Sequence, residues 1–386
     1  MIRARRAGDA LAPELEAILL LAGSGDRRAE CDARIRTVLA RADFELLARE
    51  LRDRRLLGLI GSRAIAAAGD AVPDGFRRQV QHARTTARAR SLAVEAATRR
   101  AVAILDASGI RALPLKGPLL AADLHGDTGL RETSDADLLV PQAELEPACW
   151  LLMNDGWLEP ADRRRRGGVP DLHFALDHPR RPSVELHWRI HWYEGDFAAA
   201  MLAGARPGDD GLLRPEPADL GASLLLYYAR DGFHGVRLAA DIAAFWDRHR
   251  ADLPPAFLLG HMRRYPRLRP ALTAAATAAE RLTGVPVRSW LGNRVEMDRR
   301  AALAVRLADW TQDGERDQLA ANISLVGGLL GPRRSVPDFV RRELVPDPAR
   351  PGASAVHAFK MSARYAAAVW RVRGEREWAD DPETLA

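Results

Sequence analysis

Asp135 and Asp137 stand two residues apart and lead into the apolar run Leu138-Leu139-Val140. The run reads as a β-strand, where side chains i and i+2 point to the same face. The two carboxylates would therefore converge, and with no cation between them they repel. A divalent cation removes that cost, and oxygen-only ligands suit Mg2+. Phosphoryl and nucleotidyl transfer need such a clamp on the attacking and leaving oxygens. A chain of this length carries about one Asp-x-Asp by chance at ordinary acidic-residue frequencies, so the neighbouring residues decide its meaning.

The first neighbour is Lys116. The chain has 57 Lys plus Arg, but only Lys116 and Lys360 are lysines. Arginine fills nearly every place that a generic cation could take. A lysine in a Lys-Gly pair directly after a predicted strand is then wanted as a compact ammonium, suited to phosphate as a point charge. Lys360 sits in no motif, so chance is the plainer alternative. The second neighbour lies downstream, where Leu172–Leu176 and Ser183–Trp188 flank a loop containing Pro179 and Pro182. These runs predict a β-hairpin. On its second strand Val184, Leu186 and Trp188 share one face, and Glu185 and His187 the other. Glu185 could complete a three-acid site with Asp135 and Asp137, or be an ordinary solvated side chain on a half-exposed hairpin.

Segment 104–188 resembles the uncharacterised nucleotidyltransferase family of bacteria, a branch of the polymerase-β-like nucleotidyltransferase superfamily. The resemblance rests on Leu115-Lys116-Gly117, Gly129-Leu130-Arg131, Asp135 to Val140 and Glu185-Leu186-His187-Trp188, which occur in order, and on the upstream helix ending in Asp106 to Ile110. A later helix bearing Asp241-Ile242 fits more loosely. The resemblance implies an α+β fold, with a small mixed sheet flanked by largely helical N- and C-terminal segments. It implies Asp135 and Asp137 as ligands of Mg2+ or Mn2+, with two ions, and Glu185 as a third ligand or general base. It implies an NTP co-substrate, with Lys116, Gly117, Arg131 and Ser134 on the nucleotide side. Arg131 would neutralise charge developing on the leaving pyrophosphate. Lys116-Gly117 stands where the superfamily usually has Gly-Ser or Gly-Gly. Ala136 replaces a bulkier aliphatic residue, and His125 stands where the family often has tyrosine, which bears on substrate shape more than on catalysis.

Three readings of function follow. One is transfer of an NMP group to an unidentified hydroxyl, on a peptide, glycan or small molecule. The second is kinase-like attack at the γ-phosphorus from the same site. The third is a non-catalytic nucleotide-binding, antitoxin-like partner protein, which would not need all three acids. Two further expectations concern substrate contacts. His173, His187 and His191 lie on or near the hairpin without a recognised zinc spacing, so His173 and His187 are assigned to substrate, or His187 to orienting its neighbouring acid. His234 and Asp241 are seven residues apart, which can put them on one helix face; they either line the acceptor side or cap and pair locally. Trp188, Trp192 and Tyr193 read as core residues or as a base-stacking cluster.

At 386 residues the chain can build two or three domains and a substantial core. The expected division is a helical region 1–108, the nucleotidyltransferase-like core 109–200 and a helical region 201–386. A formal net charge of +5 with pI near 9.6 attracts polyanions such as nucleotides but does not indicate a nucleic-acid binder. Cys31 and Cys149 form neither a disulfide framework nor a zinc motif, so a reducing cytoplasm is the expected location. The basic N-terminus and the run Ala17–Ala22 are interrupted by Glu14 and Glu16, which favours an amphipathic first helix over a signal peptide. No apolar run reaches the roughly 20 residues of a membrane span. P-loop and Rossmann glycine patterns are missing from any strand-to-helix context.

The elements that must position these residues follow from periodicity and breakers. Residues 10–110 read as helices, with one long helix over 75–107 ended by Ser108-Gly109. Arg111 to Leu115 reads as the first strand, and Pro118 starts the next helix. The loop His125–Ser134 follows. Pro141 opens a helix after the Asp-x-Asp strand, and Gly156 closes it. Residues 159–171, with Asp162 and four arginines ending in Gly167-Gly168, read as a loop, either solvated or clamping phosphate. Residues 201–217 read as a linker. Helices are expected at 217–250, about 255–284, 296–311, 315–330 and 354–373, with prolines breaking the tail.

Overall fold

A computed structural model describes residues 11–158, 172–292, 297–306 and 326–331. The chain opens with helices α1 Pro13–Ala22, α2 Gly25–Glu30, α3 Asp32–Leu39, α4 Phe44–Asp53, α5 Leu57–Ala68 and the long α6 Asp74–Asp106. Strand β1 Leu113–Pro114, helix α7 Gly117–His125, strand β2 Ala136–Leu139 and helix α8 Leu145–Asn154 follow. The hairpin strands are β3 His173–Leu176 and β4 Val184–His187. Then come α9 Phe197–Gly204, β5 Arg206–Pro207, β6 Leu213–Arg214, α10 Pro217–Arg230 and α11 Arg237–His249. Helices α12 Phe257–Arg264, α13 Arg269–Thr283, α14 Arg288–Leu291 and α15 Arg299–Arg306 follow, and residues 326–330 are again helical. The fold is α+β, a small mixed sheet set among helices.

Sheet order is β1-β2-β4-β3, with β1–β2 and β3–β4 antiparallel and β2–β4 parallel. The parallel register pairs Asp137 with Glu185. Strand alternation then divides the residues. Ala136, Leu138, Val140, Val184 and Leu186 pack on one face, against Val94, Ala97 and Leu105 of α6 and Ala148 and Leu152 of α8. Asp137, Glu185 and His187 lie on the other face. Two further cores complete the packing. One unites α1, α3, α4 and α5 with Val236 and Ala240. The other joins Leu113, Leu115, Leu120, Leu124 and Leu139 to helices α9 to α15. Apolar contacts therefore run across residues 108 and 200.

Several sequence expectations are refined. The single helix over 217–250 is two helices, because Gly232 and Gly235 both take positive φ between them. The presumed linker at 201–217 contains the end of α9 and the ribbon β5–β6, turned at Gly208–Gly211. The first strand is paired only at Leu113–Pro114, with Leu115 N–H adding one bond to the Asp137 carbonyl at 3.0 Å. After Pro141 the chain makes a 3-10 turn, Gln142–Glu144, before α8 begins. Helix α1 is buried on most sides rather than amphipathic, because α3, α4, α5 and α13 surround it. Even Glu14 is buried, accepting from Asp43 N–H at 2.8 Å. The expected loop 159–171, the helix 354–373 and most of 315–330 lie outside the described residues. No helix among the described residues is long and apolar enough to cross a membrane.

Candidate active site

Local backbone chemistry builds the site. Strand β1 delivers Lys116 to the edge of the sheet, and Gly117, at φ 72°, turns the chain into α7. A left-handed φ costs a side chain about 1 kcal/mol or more, which explains glycine there. On the next strand Asp137 is 5% exposed, and Asp135 precedes β2 half-buried. The oxygens of Asp135, Asp137 and Glu185 lie within 4.8 Å of one another.

Asp137 is held from two sides. Lys116 Nζ donates to its Oδ1 at 3.0 Å, and His187 Nε2 lies 2.8 Å from the same oxygen. Burial alone would raise this carboxyl, but the Lys116 charge and the His187 hydrogen bond outweigh it and hold it well below the usual carboxylate range. Glu185 follows the same balance. Burial would raise it, but His187, 3.4 Å away, through its hydrogen bond and charge, together with the His173 charge brings it below its ordinary value. His173 Nε2 is 3.7 Å from Glu185, and burial pushes its imidazole down. His173, Glu185 and His187 thus form a second cluster that shares Glu185 with the three acids. The three-oxygen set matches Mg2+ or Mn2+, whereas the two-imidazole set is the kind that zinc prefers.

Of these groups Lys116, Asp135 and Asp137 line a cavity of about 500 Å³, together with Arg131, Ser134, Tyr227 and His234. Ser134 Oγ donates to Asp135 Oδ1 at 2.8 Å. Arg131 is buried and donates from Nε to Asp241 Oδ2 at 3.0 Å. Asp241 is 1% exposed and does not line the cavity. Its second partner is His125 Nε2 at 3.3 Å, so its pairing is long-range rather than local. Burial would raise Asp241, but Arg131 and His125 hold it far below the usual range. His234 does reach the cavity, from the turn between α10 and α11.

Sequence spacing does not single out several residues that the fold brings here. Tyr227 of α10 lines the cavity, with Lys116 Nζ 4.6 Å and the Arg230 guanidinium 5.0 Å from its ring centre. Arg55, Thr133 and Arg237 also line it. They belong to an N-terminal helix end, the loop before β2 and the start of α11. The one sequence signal for Arg55 is the helix-ending Arg54-Arg55, which lacks the glycine expected there. His191 contributes no ligand atom to either cluster; it is fully buried, and desolvation lowers it to about 3. Trp188 packs against the sheet core beside Phe174.

Among curated proteins, none matches the chain. Residues 40–283, more than half of its length, match the family described as uncharacterised nucleotidyltransferase.

Proposed function

The chain belongs to this family and is a transferase of nucleotidyl groups, and on that premise we propose that it moves an NMP group from an NTP to a hydroxyl of its acceptor, using divalent ions held by Asp135, Asp137 and Glu185. The observation that carries this reading is the parallel β2–β4 register, which sets Glu185 beside Asp137 and gathers three carboxylates within 4.8 Å. Two ions, Mg2+ or Mn2+, fit this all-oxygen set; when bound they neutralise phosphate charge and polarise the α-phosphorus.

The protein groups divide the remaining work. Lys116 exchanges Asp137 for the phosphate tail, which also receives the N–H groups opening α7 at Gly117. Ser134 fixes the rotamer of Asp135. Glu185, ionised at neutral pH, accepts the proton of the acceptor hydroxyl. The hydroxyl oxygen bonds to the α-phosphorus as the bond to the bridging oxygen breaks, and pyrophosphate leaves toward Lys116 and Arg131. His187 keeps Asp137 and Glu185 oriented. Catalysis of this kind is mainly positioning and electrostatics.

Calorimetric titration of each NTP, with and without Mg2+, tests the reading. Wild type is expected to bind at least one NTP in a Mg2+-dependent manner, and the Asp135→Asn/Asp137→Asn variant to lose that binding while staying folded. Equal binding by the variant, or none by folded wild type, overturns it. With an acceptor in hand, label from the α-phosphorus should appear on the product; label from the γ-phosphorus would make the enzyme a kinase.

A further inference from the structure

Part of the cavity is not used by the chemistry above. Beyond the carboxylates and Lys116, its lining continues through Arg55, His234, Arg237 and the first turn of α11. Most cations around the cavity are already matched. Lys116 pairs with Asp137, Arg131 with Asp241 and Arg54 with Glu50. Arg55 and Arg237 are different. Arg55 is exposed, and its side chain makes no hydrogen bond or ion pair among the described residues, including with nearby Asp53. Arg237 donates Nη2 to the Glu132 carbonyl at 2.5 Å, a neutral acceptor, and its Nε is buried without a partner. Burial, and then repulsion from Arg131, lower Arg237 to about 10, with the Asp241 charge offsetting part of this and Arg55 adding to it. Of the two acids on this side, Asp231 is bonded to Arg230, and Asp53 lies nearby without bonding Arg55. Arg55 and the Arg237 Nε therefore stand at the cavity without an acid in direct contact among the described residues.

Two backbone features reinforce it. Helix α4 ends in a Schellman turn, with Arg55 N–H on the Arg52 carbonyl at 2.9 Å and Leu56 N–H on the Leu51 carbonyl at 2.8 Å. Arg55 occupies its left-handed position at φ 56°, where glycine is usual. The chain thus accepts backbone strain to keep a guanidinium at the cavity. Helix α11, of 13 residues, starts at the cavity with no side-chain cap, so its first N–H groups and its dipole favour an anion.

We propose that Arg55, Arg237 and the opening turn of α11 form a second anion subsite, which holds a phosphate group carried by the acceptor. The acceptor is then a phosphorylated hydroxyl compound. The anion site rests on the cavity alone; its assignment to the acceptor rests on the nucleotidyl-transfer reading. The nucleotide's own phosphates already have Lys116, the α7 start and the metal-binding acids, whereas this wall has no carboxylate ligand set and takes its anion without metal.

Equilibrium dialysis with labelled inorganic phosphate in metal-free buffer tests the subsite in wild type, Arg55→Gly and Arg237→Gln. Phosphate affinity is expected to fall at least tenfold in Arg55→Gly, with a melting temperature at or above wild type, because glycine relieves the left-handed residue. Arg237→Gln should show the same loss. Affinity for a non-hydrolysable NTP with Mg2+ should stay within about twofold of wild type in Arg55→Gly. Undiminished phosphate binding in Arg55→Gly, or no phosphate binding by wild type, overturns the subsite. A tenfold loss of NTP affinity in Arg55→Gly assigns the wall to the nucleotide's tail and overturns the acceptor assignment. If wild type binds no NTP while phosphate still binds through Arg55, nucleotidyl transfer fails, the acceptor assignment falls with it and the anion site stands.

Discussion

Asp137 shows how a buried acid depends on the partners around it. Its carboxylate is buried, and Lys116 and His187 together make that burial tolerable. Removing one partner of a buried ion pair leaves an uncompensated charge, at a cost of about 3 kcal/mol or more. Lys116→Met should therefore lower stability by about that amount at neutral pH, since His187 compensates only in part. Mg2+, in the proposed reading, would take the place of the lost ammonium, so millimolar Mg2+ should raise the melting temperature of Lys116→Met more than that of wild type. Calorimetric scans of both proteins with and without Mg2+ check this, and equal Mg2+ responses would argue that no cation reaches Asp137. A second buried acid behaves oppositely. Glu194 accepts Ile190 and His191 N–H at 2.7 Å each, yet burial pushes it up to about 7. Its folded value exceeds its unfolded value of 4.5, so between those pH values the folded state binds more protons and stability falls as pH rises. The fall attributable to this group is about 3 kcal/mol. His191 works the other way, gaining stability as pH rises from about 3 to 6.5. The difference in unfolding free energy between wild type and Glu194→Gln cancels the His191 contribution, and it should decline from pH 4.5 to 7. A flat difference would show that Glu194 titrates normally.

Elements decide where these residues meet. The tight passage from β1 to α7 turns on Gly117, whose φ of 72° is needed for Lys116 to reach back to Asp137. A Cβ there would meet only ordinary contacts, at 3.8 Å from Asp135 O and Val94 Cγ1. The penalty of Gly117→Ala is thus conformational rather than steric, about 1–2 kcal/mol. Urea unfolding should read that loss, and Mg2+-dependent NTP affinity should fall with it as Lys116 and the α7 N–H groups shift. A variant as stable as wild type would place no demand on this φ. This part of the site was legible in the sequence because its rules are local. Strand period aligned Asp137 and, on the hairpin, Glu185 with His187; a glycine followed by proline marked the start of α7; Ser108-Gly109 ended the long helix within a residue or two. The register joining β2 to β4 was not legible, since nothing in either strand's spacing says that Asp137 pairs with Glu185. Nor were Arg55, Tyr227 and Arg237, which reach the cavity from three separate helix ends. Their meeting depends on packing of apolar faces far apart in the chain, which periodicity in one segment does not encode.

At the scale of the whole molecule, the cavity lies where helices that precede and follow the sheet strands in the chain close over the sheet, and Asp241 is the polar joint of that closure. It sits on α11, accepts Arg131 from the loop before β2, and meets His125 at the end of α7. The neighbouring Arg237 ties the same loop through the Glu132 carbonyl, and Val236 and Ala240 of this stretch pack into the N-terminal helical core. One buried carboxylate therefore fixes the loop that carries Ser134 and Asp135 against both helical layers. Because its folded value lies far below the usual carboxylate range, its stabilisation is present above about pH 4, the unfolded value, and is lost as pH falls toward the folded one. Asp241→Ala removes this anion from between Arg131 and Arg237, leaving two buried guanidiniums that repel. The expected loss is about 3–5 kcal/mol. Asp241→Asn keeps the shape and an oxygen for Arg131 Nε, so it should recover part of that loss without restoring charge balance. The ordering wild type, Asn, Ala in urea-unfolding free energy at pH 7 is the signature of a charge joint. If Asp241→Ala came within about 1 kcal/mol of wild type, the apolar cores alone would hold the helices over the sheet.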